Sequence, residues 1–186
     1  LHLGASNWPA WRFMKAIELQ RRHGWAPFVS MQNHYNLVYR EEEREMLPLC
    51  RTEGIGVIPW SPLARGRLAG ANRGTARAGS DRYATVLYGE TSDAGILAAL
   101  ETVAKRQGRP PAQIAYAWVA SRPGVVAPIV GASKPAQLDD AVAALDLRLS
   151  EDDVKALEAP YTPRAPRSEE HTSELQSRGL ISYAVF

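Results

Sequence analysis

The sequence predicts an α/β fold in which parallel strands alternate with helices, and three observations carry that prediction. Four short apolar runs, at residues 1–6, 26–32, 56–60 and 125–131, each precede one or more segments whose apolar residues recur at helical spacing. The runs are apolar along their length rather than alternating with polar residues, the pattern of strands covered on both faces. Polar residues that do not belong in a core gather just past the end of each run.

Taken in order, "LHLGAS" reads as the end of a strand and "WPAWRFMKAIELQRRHG" as a helix. Ser6 or Asn7 is placed to cap that helix, Pro9 suits its first turn, and Gly24 stops it. "APFVSMQ" is the second strand. "REEEREMLPLCRTEG" is a helix with acids in its first turn, a kink predicted at Pro48, and Gly54 as its stop. "GVIPW" is the third strand, followed by a long Gly-, Arg- and Ser-rich loop over residues 61–92. "SDAGILAALETVAKRQG" is a helix capped by Ser92 or Asp93, and "PAQIAYAWVASRPG" another, opened by Pro111. "VVAPIVG" is the fourth strand. "KPAQLDDAVAAL" is a helix capped by Ser133, and "SEDDVKALEAP" a last one capped by Ser150 with acids behind it.

Composition narrows the function classes. The chain has 186 residues, enough for one domain, and 45% apolar residues supply a core. A net charge of +2 with 23% charged residues gives no reason to expect a nucleic-acid partner. No stretch approaches the ~20 apolar residues of a membrane helix. The single cysteine, Cys50, lies among apolar residues at helical spacing and reads as a buried small hydrophobe. A reduced, cytoplasmic setting follows as the default. The chain opens on Leu1 directly in a strand, which we read as a cut.

The polar residues past the runs are Ser6-Asn7, Gln32-Asn33-His34-Tyr35, Trp60-Ser61 and Gly131-Ala132-Ser133-Lys134. A doubly wound sheet usually places a Gly-rich fingerprint after a strand. The nearest match, Gly54-Ile55-Gly56, lacks its third glycine and precedes the run. In a closed parallel barrel all strand C-termini open on one face, where four such segments converge. They offer amide and hydroxyl hydrogen bonding, one large aromatic plane, and glycine-arginine loops suited to anions. They offer no acid–base pair and no metal-spaced cluster, so this is an inventory for holding a ligand. Each residue also has a structural alternative: Ser6 and Asn7 as caps, Gln32 as a partner for backbone groups, Trp60 as core packing, Lys134 as a solvated first-turn lysine. His34 is read as structural.

"GASN", "QNHYNLVYRE", "VIPWSPLARGRLAG" and "APIVGASKPAQLDDAVAAL" resemble, in order, successive segments of the aldo-keto reductase family, near the branch of bacterial reductases and potassium-channel β subunits. The resemblance runs to about residue 166 and includes "LEAPYTPR". It implies the second half of a (β/α)8 TIM barrel that binds NADPH without a Rossmann fold. By the family pattern Ser6, Asn7 and Gln32 hold the nicotinamide carboxamide and Trp60 stacks on its ring. Ser61, Pro62, Leu63 and Gly66 form the loop over the pyrophosphate, with Arg67 and Arg82 as cations. Gly131, Ser133, Lys134, Gln137 and Asp140 match the segment at the adenosine end, and a cation such as Lys134 suits a 2′-phosphate. The chain departs from the pattern where relatives carry Gly-Lys and it has Gly70-Ala71, and where Asn often follows the acid and it has Ala141.

The implied activity is NADPH-dependent reduction of an aldehyde or ketone, with a small carbonyl compound as substrate. The alternative is a nicotinamide-binding regulatory subunit without significant turnover. The family's catalytic Asp, Tyr, Lys and His precede this segment, so no catalytic residue maps here and the chain alone is expected to be inactive. A half barrel with uncovered edges is expected to self-associate. "RSEEHTSELQSR", residues 167–178, resembles a translated sequencing adapter, so residues 167–186 are expected to be non-native and residues 1–166 the domain. Substrate identity and oligomeric state stay open.

Overall fold

Three parallel strands lie side by side in chain order in the computed structural model, which describes residues 2–70, 84, 87–88 and 93–164. They are β1 (Leu3–Ser6), β2 (Phe28–Gln32) and β3 (Gly56–Val57). Parallel neighbours need a crossover, and the helices supply it: α1 (Ala10–His23) joins β1 to β2, and α2 (Met46–Glu53) precedes β3. Beyond β3 come α3 (Ala94–Gln107), α4 (Pro111–Ala120), α5 (Pro135–Ala143) and α6 (Glu151–Glu158). The result is an α/β arrangement of parallel strands and covering helices, an arc of the kind a partial TIM barrel presents.

The core fills the space between the arc and its helices. Met31 and Val57 from the sheet meet Phe13 and Ile17 of α1 and Met46, Leu47 and Cys50 of α2, all buried. The Cys50 thiol is pushed up to about 12, by burial first and then by Glu42, so it stays protonated and packs as an apolar group. The helix α4 is buried along nearly its whole length. Its Trp118 is fully enclosed, tilts onto Tyr35 at 5.4 Å between ring centroids, and donates its indole N–H to Glu158 at 3.0 Å.

Helix ends match the sequence better than helix starts. Gly24, Gly54 and Gly108 close α1, α2 and α3 in left-handed backbone, at φ 65°, 69° and 62°. Ser150 caps α6, its hydroxyl accepting from the Asp153 N–H at 3.1 Å. By contrast α1 starts at Ala10 from Pro9 with no side-chain cap, because Asn7 is engaged elsewhere. The acids Glu41–Glu43 form a separate 3-10 turn, and α2 begins only at Met46. Pro48 therefore falls in the first turn of α2, where no helical N–H partner is lost, and the expected kink is absent. Asp93 occupies the cap position of α3 without capping it, and Ser92 lies outside the described residues. Lys134, not Ser133, holds the cap position of α5.

The fourth predicted strand forms only in part. Val57 donates to the Gly124 carbonyl at 2.9 Å, Val126 to the Val57 carbonyl at 2.9 Å, and Ile129 to the Pro59 carbonyl at 2.8 Å. Residues 124–129 thus run beside β3 in the fourth strand position with a single bridge at Val125. Pro128 lacks an N–H, and no described strand pairs on the outer side. Gly56 permits the close approach here: a Cβ would meet Val126 Cγ2 at 3.0 Å.

Candidate functional site

Because the strands are parallel, their C-terminal ends share one edge of the sheet, and register decides which side chains become neighbours. Ser6 pairs with Gln32, so both point to the same face. Further along, His34 bridges Trp60. The Asn7 N–H donates to the Gln32 carbonyl at 3.1 Å and the Trp60 N–H to the Asn33 carbonyl at 2.8 Å. Since Ile129 bonds Pro59, the segment that follows, including Gly131, Ser133 and Lys134, leaves the sheet at the same end as Trp60.

Among the described residues, non-glycine backbone strain is confined to this edge. The described non-glycine residues with left-handed φ are Asn7 at 52°, Ser61 at 53°, Ala64 at 48° and Arg65 at 55°. Such residues persist only where surrounding contacts over-determine them, and such strain clusters at functional sites. Here it turns the chain sharply out of β1 and of the run through Trp60. Gly66 follows at φ 100°.

Three side-chain contacts build the edge into one unit. Trp60 Nε1 donates to Asn7 Oδ1 at 2.9 Å, joining the ends of the first and third strands across the second. One face of the Trp60 indole lies on the His34 ring, 4.3 Å between centroids and 11° between planes. His34 lies in turn on Tyr39, at 4.2 Å and 13°. In the plane of His34, Nε2 meets the Tyr88 hydroxyl at 2.6 Å and Asn36 Nδ2 at 3.3 Å. Asn36 Nδ2 also donates to the Ser61 carbonyl at 2.9 Å. The Tyr88 hydroxyl can donate to or accept from Nε2, so these contacts hold the ring in its plane whichever nitrogen carries the proton. His34 is fully buried, and its pKa is held down to about 3, first by burial and then by Arg164 and Arg65, so the ring is neutral. Burial likewise keeps the Tyr88 hydroxyl protonated.

The groups left open are those that could meet a ligand. The Ser6 hydroxyl and the Gln32 amide have no hydrogen-bond partner among the described residues, and Trp60 is half-buried. On the loop, Pro62 is buried and Leu63 accepts from the Gly66 N–H at 2.9 Å, closing a tight turn. The Arg67 guanidinium sits 5.6 Å from the Tyr88 ring centroid and 3.2 Å from Asp93. Asp93 is buried and also receives Arg164 at 2.9 Å.

The expected adenosine-side residues divide. Gly131, Ser133 and Lys134 are exposed at the end of the sheet that carries Trp60. Gln137 Oε1 accepts from the Ser133 and Lys134 N–H groups at 2.7 and 3.1 Å, which locks the start of α5. Asp140 accepts from Gln113 at 3.0 Å and braces α5 on α4. These two side chains have structural tasks that the sequence did not disclose. Arg82 lies outside the described residues. Sequence reasoning missed Asn36 and Tyr88 altogether and gave Asp93 only a capping role. Asn36 carried a signal, as a further amide just past the second strand. The described residues hold no cluster of His, Cys, Asp or Glu that could bind a metal ion. No described helix is long and apolar enough to cross a membrane.

Comparison with known proteins adds a family to this geometry. Residues 1–161 match the Aldo/keto reductase family. A Schizosaccharomyces pombe protein named as an aryl-alcohol dehydrogenase is 45% identical over 165 residues, covering 87% of this chain and 46% of the relative. Versiconal hemiacetal acetate reductase of Aspergillus parasiticus is 41% identical over 169 residues, 88% of this chain and 49% of its own. An aldo-keto reductase of Fusarium vanettenii is 41% identical over 167 residues, 88% and 45% respectively. The chain spans about half the length of the curated relatives it matches.

Proposed function

As this chain belongs to the aldo/keto reductase family, we propose that it forms the NADPH-binding portion of an oxidoreductase that reduces aldehydes or ketones to alcohols. The observation that carries the reading is the Trp60–Asn7 hydrogen bond, which sets a half-exposed indole beside the open Ser6 and Gln32 groups. A flat apolar wall rimmed by an amide and a hydroxyl suits a carboxamide-bearing aromatic ring. The bound cofactor would supply a hydride to a carbonyl carbon. Gln32, Ser6 and Asn7 would hold the carboxamide, and Trp60 would exclude water from one ring face. Ser61, Pro62, Leu63, Gly66 and Arg67 would cover the pyrophosphate, with Arg82 as a further cation. Lys134 and Ser133 would receive the 2′-phosphate, with Gly131 allowing close approach and Gln137 and Asp140 shaping the adenosine end.

On this reading residues 1–166 are the working unit, residues 167–186 stand outside it, and the setting is the cytoplasm. The described strand ends offer no free acid, since their one imidazole, His34, is buried and neutral. The alternative reading is a nicotinamide-binding regulatory subunit without turnover, because the family's catalytic residues precede this segment and the residues here suit both readings. Incubation with NADPH and an aromatic aldehyde, the class suggested by the aryl-alcohol dehydrogenase name, separates them. We expect the 186-residue chain to bind NADPH without consuming it, and a longer protein containing the chain to consume it. Binding without consumption by the longer protein would favour the regulatory reading. Absence of binding by either protein would refute both.

A further inference from the structure

We infer that His34 is a positioning residue for the cofactor ring: lying flat behind Trp60, it fixes the plane of the indole on which the nicotinamide would rest. The inference builds on the cofactor reading above and adds a residue to it. An indole held only by Nε1–H···O at Asn7 can still swing about that hydrogen-bond axis. A flat neighbour in contact with one face removes this freedom, and His34 supplies it at 4.3 Å and 11°.

Ordinary core packing does not account for the arrangement. An aliphatic side chain would fill the same space without imposing a plane. The imidazole is instead clamped between two rings nearly parallel to it, Trp60 and Tyr39. It is also pinned within its own plane by the Tyr88 hydroxyl at 2.6 Å and the Asn36 amide at 3.3 Å. The pinning leaves Nδ1 buried without a hydrogen-bond partner, a cost that an apolar residue would avoid. Trp60 is only partly buried, and among the described residues no other aromatic ring stacks on the indole.

The test compares two ligands on the 186-residue chain, NADPH and 2′-phospho-ADP-ribose, which lacks the nicotinamide ring. For His34→Ala the account expects the Kd for NADPH to rise about tenfold while that for the ringless ligand changes less than about twofold. His34→Phe restores a flat plate without the polar pins and is expected to recover most of the NADPH affinity. Equal weakening of both ligands, or unchanged NADPH binding, in a folded His34→Ala variant would overturn the inference, as would failure of His34→Phe to rescue. Should His34→Ala fail to fold, a His34→Phe variant that binds NADPH far more weakly than wild type would also overturn it. Wild-type protein that binds neither ligand would instead bring down the cofactor reading, and this inference with it.

Discussion

The indole N–H of Trp60 donates to the side-chain oxygen of Asn7 across 2.9 Å, tying together two strand ends that are not themselves neighbours. Asn7 makes this contact from a left-handed backbone, at φ 52°, a conformation that asparagine tolerates better than most residues. The bond and the backbone can be separated by substitution. Asn7→Ala removes the bond and adds strain, whereas Asn7→Gly removes the bond alone. NADPH affinity should fall by about three- to tenfold in both, the worth of one hydrogen bond. Urea unfolding should find Asn7→Gly the more stable of the two, by about 1 kcal/mol.

Acid should destabilise the protein through His34. Its folded-state pKa of about 3 lies below the ordinary 6.5, with burial as the main cause and Arg164 and Arg65 opposing the charged form. Between those values the unfolded chain binds the proton that the folded chain refuses. The His34 contribution is therefore intact above about pH 6.5 and is lost progressively as pH falls towards 3, by on the order of a few kcal/mol. Unfolding free energies at about pH 7 and about pH 4.5 should differ for wild type by more than for His34→Phe. An equal difference in the two proteins would contradict this assignment.

Asp93 should matter to stability more than its position in the sequence suggests. The carboxylate is buried, accepts a hydrogen bond from Arg164 and forms an ion pair with Arg67. Arg164 is nearly as buried, with 8% of its side chain exposed, so Asp93→Ala would remove a buried charge-assisted hydrogen bond. A loss of about 1.5–3 kcal/mol in thermal or urea unfolding is expected. Arg67→Ala should be mild in the same assay, because Arg67 is 36% exposed. Its effect should appear as weaker NADPH binding with a shallower dependence on salt.

Apolar side chains stand uncovered along the sheet and the last helices. Val29, Val126 and Ile129 are 43%, 67% and 38% exposed, and Leu138 and Val142 of α5 are more than half exposed. The 186-residue chain is expected to self-associate in sedimentation experiments as its concentration rises. Val126→Lys should reduce that association. A monomer at all concentrations would refute this expectation.

The sequence disclosed what is local. Helix ends were legible because Gly24, Gly54 and Gly108 mark left-handed caps wherever they occur. Strand order was legible because apolar runs alternate with helical ones. Helix starts were less so: Asn7 looked like a cap, but Trp60 claims its side chain. The run at 125–131 looked like a strand because composition does not reveal whether a partner lies on the far side. The polar residues past the runs lie together at one edge of the sheet, as their common position after the strands implied. The layer behind that edge was illegible, because its meaning depends on distant contacts. His34 becomes a plate only through its register with Trp60, and Asp93 becomes an anchor only through Arg164, 71 residues away.

The central claim is that the strand-end edge carrying Trp60 and Gln32 binds the nicotinamide of NADPH. Calorimetric titration of the 186-residue chain with NADPH, beside Trp60→Ala and Gln32→Leu, tests it most directly. The account predicts saturable binding at one site, weakened about tenfold in each variant. Absence of saturable binding by wild type, or equal affinity in all three proteins, would contradict it.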